Sequence, residues 1–255
     1  GLGCEVLGGM LRAPRDVEVT RAGEIVVSEF GAGRLVRLRA GAWETIADGL
    51  AGPIGVREWR DGRLLVGEEH AQAVSWIGLD DGAHTPLAEE LGNVTYVALD
   101  DAGALFVSTF VAGTRGAGVV HRIDPGSGAV APFATGLDVP EGLFVDADGA
   151  LFVAEWDTPS SVRRFPPGGG DVAASEIVAD GFDRIYGLLP DGDGGFFAGD
   201  HAGRIVRVRA GGDIERIVDG IGRPGGLARD ATGALLVAEF VDFGAEGRVL
   251  RVTGL

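Results

Sequence analysis

The sequence predicts an all-β, six-bladed β-propeller with four antiparallel strands per blade, and three observations carry that expectation. A unit built around a turn glycine occurs six times, at Gly23, Gly62, Gly103, Gly149, Gly194 and Gly233, with spacings of 39, 41, 46, 45 and 39 residues. Each unit holds short apolar segments bounded by Gly, Pro and Asp, the composition of strands and tight turns. The last unit stops after its third segment, "GRVLRVTGL", while residues 1–9, "GLGCEVLGG", supply a spare strand ahead of the first unit.

Taken in order, a first strand precedes each turn glycine: "RDVEVT", "IGVREW", "TYVALD", "EGLFVD", "YGLLPD" and "GGLARD". A second follows it: "EIVVSE", "RLLVGE", "ALFVST", "ALFVAE", "GFFAGD" and "ALLVAE". A third strand, as in "GRLVRLRA" and "GRIVRVRA", leads to a fourth such as "WETIADG" or "IERIVDG". Several segments are apolar without alternation, as expected of strands buried on both faces. Four short strands every 40 to 45 residues or so describe propeller blades, here approximately 11–49, 50–90, 91–136, 137–181, 182–220 and 221–255 joined by 1–9. Placing Cys4–Leu7 beside Leu250–Val252 completes the last blade and removes an exposed sheet edge, which favours a closed ring over an open solenoid.

Composition narrows the function classes. The chain has 255 residues, 45% hydrophobic, enough for one domain with a sizeable core. A net charge of −16 repels phosphate backbones, so no nucleic-acid partner is expected. No apolar run reaches the roughly 20 residues of a membrane helix. All 22 basic residues are arginine, a bacterial-like usage that removes lysine Schiff-base chemistry. Cys4 stands alone, so no intrachain disulfide forms. There is no G-x-S-x-G, no H-E-x-x-H and no cysteine cluster. "DADG" and "DGDGG" sit where hairpin turns belong and lack the remaining ligands of a calcium loop. A monomer acting on a small molecule, without an organic cofactor, is the expectation.

Two register positions face the channel in such a ring. The start of the first strand gives Arg15/Asp16, Ile54/Gly55, Thr95/Tyr96, Glu141/Gly142, Tyr186/Gly187 and Gly225/Gly226; the end of the second gives Glu29, Glu68, Thr109, Glu155, Asp200 and Glu239. Three of those acids have a matching third-strand arginine: Glu29 with Arg34, Asp200 with Arg204, Glu239 with Arg248. These read as structural ion pairs. Glu68 and Glu155 face Ala73 and Ser161 at that position, so they read as unpaired carboxylates free to serve a site. His70 and His201 follow second strands on the same face, whereas His84 and His121 fall in outer strands and read as structural.

The pattern "P-x-G" followed by "D-x-x-G-x-L-[FV]-V-A-E" resembles the NHL repeat and the repeats of the gluconolactonase, senescence-marker-protein and strictosidine-synthase-like propellers, and also those of virginiamycin B lyase. The first resemblance implies a divalent cation, calcium or another, over the channel, held by acidic and amide side chains. Only Glu141 matches that ligand set; Arg15 and Tyr186 stand where the group has acids, and Thr95 is a weak donor. The lyase resemblance implies a histidine where this chain has Glu141.

The expectation is therefore metal-assisted hydrolysis of a small lactone or ester at the channel mouth. A non-catalytic ligand-binding or scaffold propeller, and a lyase or cyclase for a natural product using Glu141 and Tyr186, remain the alternatives. Glu141, Tyr186, His201 and His70 are the candidate catalytic residues; Arg15, Tyr96, Thr95, Arg115 and Trp156 the candidate substrate contacts; Glu141, Glu155 and Glu68 the candidate metal ligands. Two long loops, Phe110–Gly118 with Arg115 and Phe240–Gly247 with Asp242 and Phe243, are expected to arch over the mouth from opposite blades.

Overall fold

A computed structural model describes residues 1–157, 159–241 and 246–255. Six sheets form the blades of a propeller, antiparallel throughout except where the two-residue strand Gly170–Asp171 pairs parallel with Val130–Leu137 of the third blade. Their innermost strands are Pro14–Val19, Pro53–Glu58, Asn93–Leu99, Pro140–Val145, Ile185–Pro190 and Arg223–Arg229. The second strands are Ile25–Glu29, Arg63–Glu68, Leu105–Phe110, Leu151–Glu155, Phe196–Asp200 and Leu235–Phe240. The aspartate- and glycine-rich connections are hairpin turns: Asp146 Oδ1 accepts from the Asp148 and Ala150 amides, and Asp191 Oδ1 from those of Asp193 and Gly195.

Ring closure follows the expected pairing. Gly3–Arg12 lies antiparallel to Glu246–Thr253, with Cys4 opposite Val252 and Val6 opposite Leu250. The N-terminal strand is thus the outer strand of the last blade. Six buried apolar clusters fill the six spaces between neighbouring blades. Leu11, Val17, Val36, Leu236 and Val249 join the last blade to the first. Val26, Leu35, Val56, Val66 and Ile77 join the first to the second. The core therefore lies between blade faces, while the channel is left to the innermost strands.

Those innermost strands crowd the axis. A Cβ on Gly142 would lie 2.3 Å from the Tyr186 carbonyl oxygen, so only glycine fits there. Gly226 leaves room for the Asp16 carboxylate, whose Oδ1 is 1.7 Å from where that Cβ would be. No helix among the described residues is long and apolar enough to cross a membrane.

Candidate active site at the channel mouth

Every innermost strand breaks register at its start, between Pro14 and Asp16, Pro53 and Val56, Val94 and Val97, Pro140 and Leu143, Ile185 and Leu188, and Pro224 and Leu227. A bulge re-aims the residue it contains. The residues so placed include Arg15, Ile54, Thr95, Glu141 and Tyr186, which line one cavity of about 320 Å³ with Phe30, Glu69, His70, Phe110, Val139 and Trp156. The backbone is strained at this rim: Val139, β-branched, holds φ at 46°.

The ring of acids beneath the rim has a structural task. Each carboxylate accepts from the amide seventeen residues earlier: Glu29 from Arg12, Glu68 from Ala51, Glu155 from Asp138, Asp200 from Asp183 and Glu239 from Gly222. Each then reaches across to its blade's outer strands. Glu29 pairs with Arg34 at 2.5 Å and Asp200 with Arg204 at 2.6 Å, and Glu239 pairs with Arg248, as the sequence suggested.

Glu68 and Glu155 are not unpaired, which corrects the sequence reading. Glu155 binds Arg163 Nε at 2.5 Å, and Glu68 accepts from Ser75 Oγ at 2.6 Å and meets His84 Nε2 at 2.9 Å. The partner in these blades has moved two residues along the third strand, from 161 to 163 and from 73 to 75. Side chains alternate in a strand, so a shift of two keeps the same face. Blade three does the same with neutral groups, Thr109 Oγ1 standing 3.1 Å from His121 Nε2. Neither Glu68 nor Glu155 lines the mouth, and the reason for assigning them to a metal is gone.

At the mouth itself, Arg15 is the organising group. Its guanidinium lies over the rings of Phe30 and Phe240, 4.7 and 4.5 Å from their centroids, and Nη1 donates to the Tyr186 hydroxyl at 3.0 Å. Glu141, from the opposite blade, is 5% exposed and its Oε2 is buried without a hydrogen-bond partner. Burial pushes its carboxyl well above the ordinary 4.5; the Arg15 charge opposes this and the Glu69 charge adds to it. Burial likewise raises Tyr186 above its usual range, so its hydroxyl keeps its proton. His201 stacks on Tyr186 with 5.3 Å between ring centroids, its Nε2 buried without a hydrogen-bond partner. Burial lowers it to about 4, so the ring is neutral near pH 7.

The remaining candidates are spent elsewhere. Tyr96 donates its hydroxyl to the Arg15 carbonyl at 3.0 Å and plugs the channel below the mouth. Asp16 fills the same level, accepting from the Val17 and Val56 amides and from Arg57 Nη1 at 2.6 Å. Thr95 lines the cavity, but its hydroxyl donates to the Pro140 carbonyl at 2.7 Å. Arg115 binds Asp138 at 2.7 Å beside the rim, so it is tied to the linker between blades three and four. Asp242 and Phe243 lie outside the described residues.

Phe30, Glu69, Phe110, Val139 and Phe240 were missed as site residues. A signal existed: the position just after Glu29, Glu68, Thr109, Glu155, Asp200 and Glu239 reads Phe30, Glu69, Phe110, Trp156, His201 and Phe240, four of them aromatic besides one histidine.

The donor set does not suit a divalent cation. A hard cation of calcium's type takes six to eight oxygens. This mouth presents a guanidinium and two carboxyls, Glu141 and Glu69, both of which burial pushes toward the neutral form. Among the described residues no group of three or more His, Cys, Asp or Glu is placed to hold a metal.

No protein-family profile matches the chain, and no curated protein matches it in sequence. Solved structures do. A gluconolactonase from Xanthomonas campestris superposes with a TM-score of 0.83 at 16% identity, over 98% of this chain and 89% of that one. Regucalcin, a calcium-binding protein from Agrobacterium tumefaciens, gives 0.81 at 17% identity, over 100% and 96%. Virginiamycin B lyase from Staphylococcus aureus gives 0.69 at 16% identity, over 100% and 99%. In fold, this chain is a six-bladed propeller of the kind shared by gluconolactonase, regucalcin and virginiamycin B lyase.

Proposed function

We propose that the channel mouth hydrolyses a small lactone or ester by acid–base chemistry, with Arg15 standing in the place a metal ion would take. The observation that carries this reading is Glu141 Oε2: a buried carboxyl oxygen without a hydrogen-bond partner, in the same cavity as an arginine-polarised tyrosine. A shared gluconolactonase fold supports the reaction class.

In this reading Glu141, as carboxylate, takes a proton from a water that attacks the carbonyl carbon. The carbonyl oxygen gains the electron pair and accepts from the Tyr186 hydroxyl. Arg15 Nη1 donates to the phenolic oxygen, leaving the phenol's own proton to point at substrate. Such donors act strongly in a water-poor site. Collapse of the tetrahedral species breaks the bond to the ring or alkoxy oxygen, and Glu141 returns its proton to that leaving oxygen. Neutral His201, stacked behind Tyr186, fixes the plane of the phenol.

The test is turnover of a lactone and ester panel in ¹⁸O-water by wild type and Glu141→Gln. The expected result is one ¹⁸O per product acid and a loss of kcat of about 10² or more in the variant. The rising limb of the wild-type pH profile should lie above 4.5, because the base works only after losing its proton. Product without label would point to elimination, and full activity in the variant would end the reading.

A further inference from the structure

We propose that the body of the substrate is an apolar ring, aryl or alkyl, in place of a polyhydroxylated one; this rests on the hydrolytic reading above. The wall that would meet that body is Phe110, Val139 and Trp156 in blades three and four, continued by Ile54 and Phe30. Polar atoms that could pair with ring hydroxyls are few along it. The Thr95 hydroxyl is committed to the Pro140 carbonyl and stands 2.7 Å from Ser108 Oγ. His70 meets Phe30 edge to face, 5.1 Å between ring centroids, at the exposed margin of the cavity. The polar side chains that line the cavity are Arg15, Glu141 and Tyr186 at the reacting end, Trp156 through an Nε1 that is buried without a hydrogen-bond partner, and Glu69 and His70 at the more exposed margin.

Arg15, Tyr186 and Glu141 serve one carbonyl and one leaving oxygen, while Phe30, Ile54, Phe110 and Val139 offer a ligand no hydrogen-bonding side-chain group. A polyol would leave hydroxyls against Phe30, Ile54, Phe110 and Val139, and each unpaired one costs about tenfold in affinity. An apolar ring against the same residues is favoured by removal of its surface from water. The space is equivalent to about ten waters at liquid volume, enough for a fused bicyclic ring.

The test is calorimetric binding of two lactams, which keep the lactone shape and resist hydrolysis: 3,4-dihydro-2-quinolinone and gluconolactam. The quinolinone is expected to bind at least about tenfold tighter. Phe110→Asn should weaken it by about tenfold while Phe110→Leu does not. Val139→Thr, which keeps shape and adds a hydroxyl, gives the same comparison if Phe110→Asn unfolds. Equal or tighter binding of gluconolactam, no binding of either lactam, or an affinity indifferent to both polar variants would overturn the proposal. Hydrolysis of dihydrocoumarin and of gluconolactone is scored separately. Lactam binding without hydrolysis of either keeps the ligand class and removes the reaction; hydrolysis of gluconolactone with tight gluconolactam binding does the reverse.

Discussion

Replacing Glu155 by glutamine tests whether the acid at the end of the second strand is a structural part. The carboxylate is 6% exposed and serves three donors: the Asp138 amide at 2.8 Å, Ser161 Oγ at 3.2 Å and Arg163 Nε at 2.5 Å. Glutamine has one carbonyl oxygen, which can keep the amide or the guanidinium. Its NH₂ then faces a donor. Breaking a fully buried pair costs about 3–5 kcal/mol, but the Arg163 side chain is 23% exposed, so water offsets part of the loss. A cost of about 2–3 kcal/mol follows, and a domain of this size shifts by roughly 2–4 °C per kcal/mol, so Tm should fall by about 5–10 °C. The same change at Glu68 removes no arginine partner and should cost about 1 kcal/mol, since its donors are an amide, a serine and a half-exposed histidine. Thermal melts of both variants, with Glu155→Gln repeated on Arg163→Met, give the coupling directly. A Glu155→Gln protein that melts within about 1 °C of wild type, or no coupling to Arg163, would refute the structural reading.

Two further outcomes are expected. Deleting residues 1–8 removes the closing strand, uncovers Glu246–Thr253 and should lower Tm by about 10 °C or more in a calorimetric scan. His201 contributes a pH-dependent term: its pKa falls from the ordinary 6.5 to about 4 on folding, so the unfolded chain binds more protons between those values. The stability tied to its neutral form is complete above pH 6.5 and is lost as pH falls toward 4, so in urea titrations wild type should lose stability relative to His201→Phe through that window.

The ring was legible because a propeller repeats its turn chemistry in every blade. Turn glycines at fixed spacing and a missing last strand are patterns in one dimension, and Cys4 opposite Val252 follows from them. The wall positions were legible for the same reason, since the bulges recur at one place in each repeat. Partner identity was not. Alignment placed Ser161 opposite Glu155, yet alternation lets Arg163 occupy the same face two residues on, and sequence spacing cannot choose between them. Commitment of hydroxyls was equally hidden: Tyr96 reaches a carbonyl 81 residues away across the channel, which no local pattern encodes. The aromatic character of the rim is present in the sequence as Phe30, Phe110, Trp156 and Phe240, each one residue past the end-of-strand register position, but no local pattern says that those rings turn toward the mouth.

The most direct test of acid–base chemistry without a metal is lactone hydrolysis by protein stripped with chelator, compared with the same protein given excess calcium. The account predicts equal kcat in the two samples, because Arg15 and Tyr186 supply the positive and hydrogen-bonding groups at the carbonyl oxygen. Activity abolished by chelation and restored by calcium would contradict it.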